Sequence, residues 1–410
     1  MRMASHYSIK GFLRNTPNAL LARYFAARDV LQDFDFKAIK ETKIDPLFEA
    51  WMKLPEAQRA KLETELRAIS DMSNEKGVKA IIDEAAFHMN EADEHPAFVA
   101  LLMGLPGHHE RAMTTFLDYP NLWKGAARFY HADTLSYWRK RKNLPKVKAA
   151  TEPADIEALS AAIKGYYQPT EGRAKHCRVE PYRRNELEYF FAFPEDYAQN
   201  APEWAGDDLA LQSRHPPFEI VFVWDATDGR LELHLTGDKS AVKPLQAIFA
   251  KTILKCDKLP DELTDNRVYH LFPLRSKDFR FTWDTASGIE SVRVSKLRLT
   301  LNKNRKLTLE ANPKNDPDAI YKLLEKLSPS LPSHEYQISQ VGITAMVKLD
   351  PKAPAKKVDF NVGYPDSCSL KHDEVGLKLR AMLTASGIEP KEPAEDAATA
   401  DNAVSPAPTL

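Results

Sequence analysis

Along the first third of the chain the apolar positions recur every three or four residues. Between Leu13 and Leu31, Leu20, Leu21, Tyr24 and Phe25 fall at helical spacing behind Asn15, Thr16 and Pro17, a start in which proline is tolerated. Leu62, Leu66 and Ile69 share one side of a second segment, and Val78, Ile81, Ile82 and Phe87 one side of a third, where Glu75 and Lys79 sit one turn apart in the favourable order. These spacings predict amphipathic helices as far as Asp118. A helix-turn-helix over Leu54–Ile82 has a turn of suitable length. Its second helix, however, sets Lys76 and Lys79 against Glu75, Asp83 and Glu84, too few donors for a DNA-reading face.

Beyond a linker at Ala149–Asp155, Ile156, Leu159, Ile163 and Tyr166 predict one more helix, and from Arg173 the period shortens to two. LEYFFAF, FEIVFVWD and GRLELHL read as strands ahead of the helical AVKPLQAIFAKTIL. FRFTW, SVRVSKLRLTL and RKLTLEA precede DAIYKLLEKL, and HEYQIS, GITAMVKL and KVDFNVG precede VGLKLRAMLTASGI. The units follow at intervals of roughly 50 to 65 residues, a repetition of pattern and not of residues. Asp228 and Gly229 mark a hairpin turn, so pairing is expected to be antiparallel, with helices on one face of the sheet.

The predicted fold class is therefore α+β, in three parts. Residues 1–148 form an all-helical domain ending in a basic aromatic helix, and residues 149–388 a sheet domain suggestive of repeated strand-strand-strand-helix units. Residues 389–410, rich in Pro, Ala and acids, form a disordered tail. A dinucleotide-binding fold is not indicated, because no glycine-rich strand-to-helix turn occurs.

Composition narrows the class further. The chain has 410 residues, 43% hydrophobic and 28% charged, enough for two or three domains of ordinary globular type. No apolar run approaches the about 18 residues that span a bilayer, and the N-terminus lacks a signal-peptide pattern, so no membrane partner is expected. Cys177, Cys256 and Cys368 are scattered and form no CxxC pair, which suits a reducing, cytoplasmic and bacterial setting. Of the three, only Cys177 has a cationic neighbourhood that could activate a thiol.

The formal net charge is −1, so any attraction to nucleic acid must come from local clusters. Three stand out. The first lies in Tyr119–Lys148, where Trp123, Phe129, Tyr130, Tyr137 and Trp138 interleave with cations. Projected as one helix, it gives a stripe of Lys124, Arg128, His131, Arg139 and Lys142, with Trp138 on its flank and Lys140 and Arg141 alongside, fit to track phosphates while a ring stacks a base. Asp133 and Thr134 form a competing N-cap. A break there would leave Arg139–Lys142 to stabilise the C-terminus of a second helix.

The second cluster, Ser291–Leu309, carries Arg293, Lys296 and Arg298 and no acid. Val292 and Val294 alternate inward, and then Leu297, Leu299 and Leu301 do, so the phase slips at Ser295 and Lys296 as in a β-bulge. Arg293, Lys296 and Arg298 are thereby expected to face solvent together, a pattern that also protects a hairpin from aggregation. The third cluster, including Arg183 and Arg184, precedes a strand and reads as loop.

Enzymatic signatures are sparse. No GxxxxGK[ST], HExxH or GxSxG is present. His88 and Glu91 would share a helix face as metal ligands, with His95 joining them only if the helix ran to Pro96, and no second such pair appears. Glu186 and Glu188, or Asp366 with Lys371, could serve a metal-dependent nuclease. The sequence points first to a non-catalytic protein that binds DNA or RNA with little sequence preference, or a nucleoprotein, and meets protein partners through its helical domain. No cofactor or bound metal is expected. A metal-dependent nuclease or other phosphodiester hydrolase is the alternative, and a structural subunit of a larger assembly the second.

Overall fold

The computed structural model describes residues 7–89, 93–237, 239–257, 259, 268–301, 305–314, 316–349 and 354–390. The chain divides into two compact units, Met1–Thr134 with Tyr182–Asn185, and Leu135–Pro181 with Glu186–Leu410.

The first unit is helical: α1 (Ile9–Asn15), α2 (Asn18–Ala26), α3 (Asp45–Met52), α4 (Glu56–Met72), α5 (Glu75–His88), α6 (Glu94–Gly104), α7 (His108–Asp118) and α8 (Pro120–Ala132). The predicted stripes supply its core, with Leu21, Tyr24, Phe25, Leu66, Ile69 and Ile81 fully buried. Between α4 and α5 the turn is short, because the Asn74 side chain accepts from the Lys76 and Gly77 amides and caps α5 at once. Of the metal-ligand set drawn from sequence, Glu91 lies outside the described residues. His88 instead meets the buried Glu84 carboxylate at 2.8 Å.

The second unit carries β1 (Trp138–Arg141), α9 (Pro153–Glu171), β2 (Cys177–Arg184), β3 (Leu187–Pro194), β4 (Gln199–Ala205), β5 (Asp208–Arg214), β6 (Ile220–Asp225), β7 (Arg230–Leu235), α10 (Val242–Thr252), β8 (Ile289–Leu301), β9 (Lys306–Glu310), α11 (Ala319–Leu327), β10 (Tyr336–Val347), β11 (Lys356–Gly363), β12 (Ser367–Cys368) and α12 (Glu374–Ala385). The last residues of β2 group with the helical unit. Ten strands form one sheet in the order β2-β3-β6-β7-β1-β12-β11-β10-β8-β9, and β4 and β5 form a separate hairpin. The architecture is α+β with antiparallel pairing, as the alternating patterns predict. No described helix is long and apolar enough to cross a membrane.

Strand β1 joins the two halves of the sheet, pairing with β7 on one side and β12 on the other. This differs from the expectation of a continuous basic helix. Asp133 closes α8 as its C-cap, at φ −66° and ψ −12°, rather than opening a second helix. After Tyr137, at φ +65°, the residues alternate in burial, Trp138 and Lys140 in, Arg139 and Arg141 half out. That period of two suits a strand between two partners.

Each half of the sheet has its own helices, on opposite faces. Phe190, Phe222, Leu231 and Leu233 pack under α9 and α10. Phe249 of α10 sits 5.2 Å from the Phe190 ring and 5.0 Å from Phe222, and such aromatic pairs contribute about 0.5 to 1.5 kcal/mol each beyond burial. Leu297, Leu299, Val341, Ile343 and Val362 pack under α11 and α12. Trp138 lies opposite Cys368 of that second core, whereas Arg139 lies opposite Leu233 of the first. Directly paired residues share a face, so the two cores are on different sides.

Three other local expectations change. FRFTW is not a strand; Phe279, Phe281 and Trp283 pack against the second core as irregular chain. HEYQIS and GITAMVKL form the single strand β10, with register shifts in place of a turn. The Cys177–Arg184 stretch is strand β2 and not loop.

Candidate nucleic-acid interface

The phase slip read from SVRVSKLRLTL is present. Lys296 pairs with Gly342 and Val294 with Ile343, so Ser295 has no Cα partner, and Arg293, Lys296 and Arg298 all turn away from the apolar core. Across the sheet from Arg298, the paired residues run Thr308, Arg298, Gln340, Gly363, Ser367 and Arg139, one continuous row over β9, β8, β10, β11, β12 and β1. The row brings Arg139 of the first basic cluster onto the same face as the second. Four strand intervals of about 4.8 Å put the two arginines about 19 Å apart at their backbones.

Neighbouring rows add Glu310, Lys296, Gly342 and Asn361, then Arg293, Thr344 and Asp359. None of these residues belongs to either apolar core. Lys306, Lys357 and Arg141 extend the same face by strand parity, so cations outnumber Glu310, Asp359 and the adjoining Asp366 among its described residues. Asp366 holds Arg139 at 2.9 Å, Glu310 lies 3.7 Å from Lys296, and Lys357 pairs with Asp359 at 2.9 Å. The Lys357–Asp359 pair and the exposed Glu310 beside Lys296 contribute about 1 kcal/mol or less, so a phosphate can replace those carboxylates with little loss, whereas Arg139 and Asp366 are half-buried and exchange less readily.

Gly342 makes the floor of this face flat. A Cβ there would lie 2.7 Å from Lys296 Cβ and 3.4 Å from Asn361 Oδ1. Gly342→Ala is accordingly expected to push Lys296 aside and to destabilise the sheet unit by about 1 to 3 kcal/mol, read as a lower urea midpoint. Two exposed rings adjoin the Arg139 row in sequence: Tyr137, 58% exposed, two residues before Arg139, and Tyr364, 46% exposed, immediately after Gly363.

The remaining basic residues lie elsewhere. Trp138 is fully buried, its ring 4.3 Å from His372 in an edge-to-face contact. Lys140 is buried too. Its ammonium sits 2.7 and 2.9 Å from the Glu389 carboxylate and 3.5 Å from Glu232. Lys142 bonds the Pro390 carbonyl. In the helical unit, Lys124 is exposed on α8 and Arg128 half-buried. There Arg184 reaches Asp83 and Asp133, each at 2.9 Å, while Arg183 lies over the Phe87 ring. These last two are engaged within their own unit.

Glu389, the first residue of the tail as drawn from sequence, is therefore a buried anchor, while residues 391–410 lie outside those described. Cys177 is half-buried, and burial pushes its thiol up to about 11, which keeps it protonated and unreactive. Glu186 lies in the turn before β3, and Glu188 on β3 faces Trp224. Among the described residues, no three His, Cys, Asp or Glu side chains form a group able to hold a metal ion.

One constellation has no counterpart in the sequence reading. Glu232, on β7 between Leu231 and Leu233, accepts from Arg380 Nη1 at 2.8 and 3.0 Å and lies 3.3 Å from His372 Nε2. Burial alone would raise its pKa, yet Arg380, Lys140 and His372 together hold it well below the ordinary carboxylate range. RLELHL alternates polar with apolar residues, as a strand with one solvent face does, so nothing in it signalled that Glu232 and His234 are buried. No known protein-family model matches the chain, and no curated protein is significantly similar to it in sequence.

Proposed function

We propose that this protein binds single-stranded nucleic acid, with little sequence preference and without chemistry of its own, on the polar face shared by β1, β12, β11, β10, β8 and β9. The observation that carries the reading is the single cross-sheet row from Arg298 to Arg139, on a face that gives nothing to either apolar core. Arginine forks bind phosphate bidentately, and Asn361, Gln340 and Ser367 add neutral donors among them. Rings such as Tyr137 and Tyr364 suit unpaired bases, since every base has a face to stack. The side chains on offer are phosphate binders more than base readers, hence the tolerance of sequence.

Mobility shifts with an unstructured oligonucleotide, as DNA and as RNA, over a salt series test this. Affinity is expected to fall steeply with salt, and Arg298→Ala to reduce the logarithmic salt slope by about 0.7. Arg139→Glu with Arg298→Glu is expected to weaken binding about 100-fold at low salt, since each lost contact of about 1.4 kcal/mol is a factor of ten. Asp366→Asn, which frees Arg139, is expected to strengthen it. Lys124→Ala reports on the helical unit separately. Absence of binding at low salt, or binding indifferent to Arg139 and Arg298, removes the proposal.

A further inference from the structure

Among the described residues β4 and β5 pair only with each other, in a hairpin apart from the ten-stranded sheet. Gly206, at φ +68°, opens the two-residue turn that joins them, and so tight a turn fixes their register. Pro202 lies opposite Leu211 and Trp204 opposite Leu209. Directly paired residues share a face, so these four apolar side chains form one side of the hairpin. Arg214, Gln212, Glu203 and Asp208 belong to the other.

The side turned to solvent is the apolar one. Trp204 is 73% exposed, Leu209 60% and Leu211 70%, whereas Ala201, Glu203 and Ala210 on the polar side are half-buried. None of the four apolar residues belongs to a core of the chain. A two-stranded hairpin is marginal in water unless further strands or a packed face support it. Contiguous exposed apolar side chains of this kind mark an interaction surface.

Charge selects the occupant. The turn end carries Asp207 and Asp208, and the root carries Arg214 and His215, all four exposed. Arg214 also pairs with Glu203 across the polar side, and His215 with Glu195. At about 3.4 Å per residue the two ends of β5 lie about 20 Å apart. A second copy, turned about a two-fold axis that crosses the strands, lays each acidic turn over the other copy's basic root. The same operation sets Pro202, Trp204, Leu209 and Leu211 against their own counterparts, the self-complementarity that a two-fold contact requires. The acidic turn opposes an anionic lipid surface, the other apolar-seeking partner.

We infer that the apolar face of the β4–β5 hairpin is a dimerisation surface, on which a second copy of this chain docks face to face and antiparallel. Two strands about 20 Å long offer less than the roughly 800 Å² per partner of a standard interface, so the dimer is weak and forms at micromolar concentrations or above. The hairpin shares no strand with the basic face, and the inference does not rest on the nucleic-acid reading.

Sedimentation equilibrium of the full chain from about 1 to about 300 µM is expected to show a reversible monomer–dimer equilibrium. Trp204→Ser with Leu211→Ser is expected to weaken the dimer at least about tenfold and to leave the Tm of the dilute chain unchanged, since both side chains are exposed in the monomer. Asp207→Lys with Asp208→Lys, and separately Arg214→Glu with His215→Glu, are each expected to weaken it about tenfold. An equimolar mixture of those two variants is expected to restore it as a heterodimer, because opposite charges then meet at both ends. A chain monomeric to about 300 µM overturns the inference and leaves the face to a different polypeptide. A dimer indifferent to the Trp204 and Leu211 substitutions, or a mixture no tighter than its components, also overturns it. Flotation with phosphatidylcholine vesicles checks the remaining occupant: vesicle binding by a chain that does not self-associate, lost with the same two serines, would assign the face to lipid instead.

Discussion

Glu232→Ala is expected to destabilise the sheet unit by about 3 to 5 kcal/mol, because it breaks a buried, hydrogen-bonded charge pair. The change leaves Arg380 and Lys140 buried with one carboxylate, Glu389, where there had been two, and takes from His372 the group its Nε2–H faces. A thermal melt followed by near-ultraviolet circular dichroism should show the sheet unit's transition fall by roughly 10 °C, at about 2 to 4 °C per kcal/mol for a unit of this size. Asp366→Ala, which removes the partner of the half-exposed Arg139, should cost about 1 kcal/mol or less. Equal effects from the two would show that the buried network is not what holds β7, β1 and α12 together.

The second large effect is a dependence on pH. His372 is pushed down to about 4, first by burial and then by the Arg380 charge, against the pull of Glu232. The unfolded chain takes up this proton near pH 6.5 and the folded chain near 4. Between those values the unfolded state holds more protons, so stability declines as pH falls from about 6.5 to about 4, by roughly 3 kcal/mol in all, and then levels for this group. Glu232, also depressed, contributes in the same direction at lower pH still: its stabilisation is present above the ordinary carboxylate range and lost as pH falls through its folded value.

The groups that face His372 are Trp138 and Lys140 on β1, Tyr189 on β3, Glu232 on β7 and Arg380 on α12. Arg380, which burial alone would lower, is held above its ordinary value by Glu232 and stays charged, and Glu232 titrates lower still, so the histidine is the member of this group that changes in the window. His109 in the helical unit, lowered by burial and by His108, has the same sign. Urea midpoints from pH 7 to pH 4 should therefore fall in both the parent and His372→Phe, but by less in the variant. Parallel curves would mean that His372 titrates normally.

Much of this was legible in the chain. The alternation of Val292, Val294, Leu297 and Leu299 located both the β8 bulge and the three cations that it turns outward, because a strand with one buried face writes its register into every second residue. The helical stripes of α2, α4 and α5 were legible for the same reason at a different period. Gly229, at φ +61° with a Cβ position only 2.3 Å from the Leu144 carbonyl, explains why glycine stands at the β6–β7 turn. The basic stretch was misleading because Trp138–Arg141 is only four residues long, too short for its period to be distinguished from helical spacing.

The candidate site divides the same way. Which cations face solvent on β8 is a local property, decided by the pleat and the bulge. That Arg139 joins them depends on β1 pairing with β12 and β7, and its bond to Asp366 spans 227 residues of sequence. Likewise Lys140, one residue on, is turned inward to Glu389 across 249 residues. The sequence alone thus determined the α+β class, the helical first third, most of the long strands and the polarity of their faces, since these follow from backbone geometry and burial within a few residues. Only the tertiary structure decided the order of the strands, the insertion of β1 between the two halves, and the burial of Lys140 with Glu232, His372, Arg380 and Glu389. Those depend on contacts between distant segments, which periodicity along the chain does not encode.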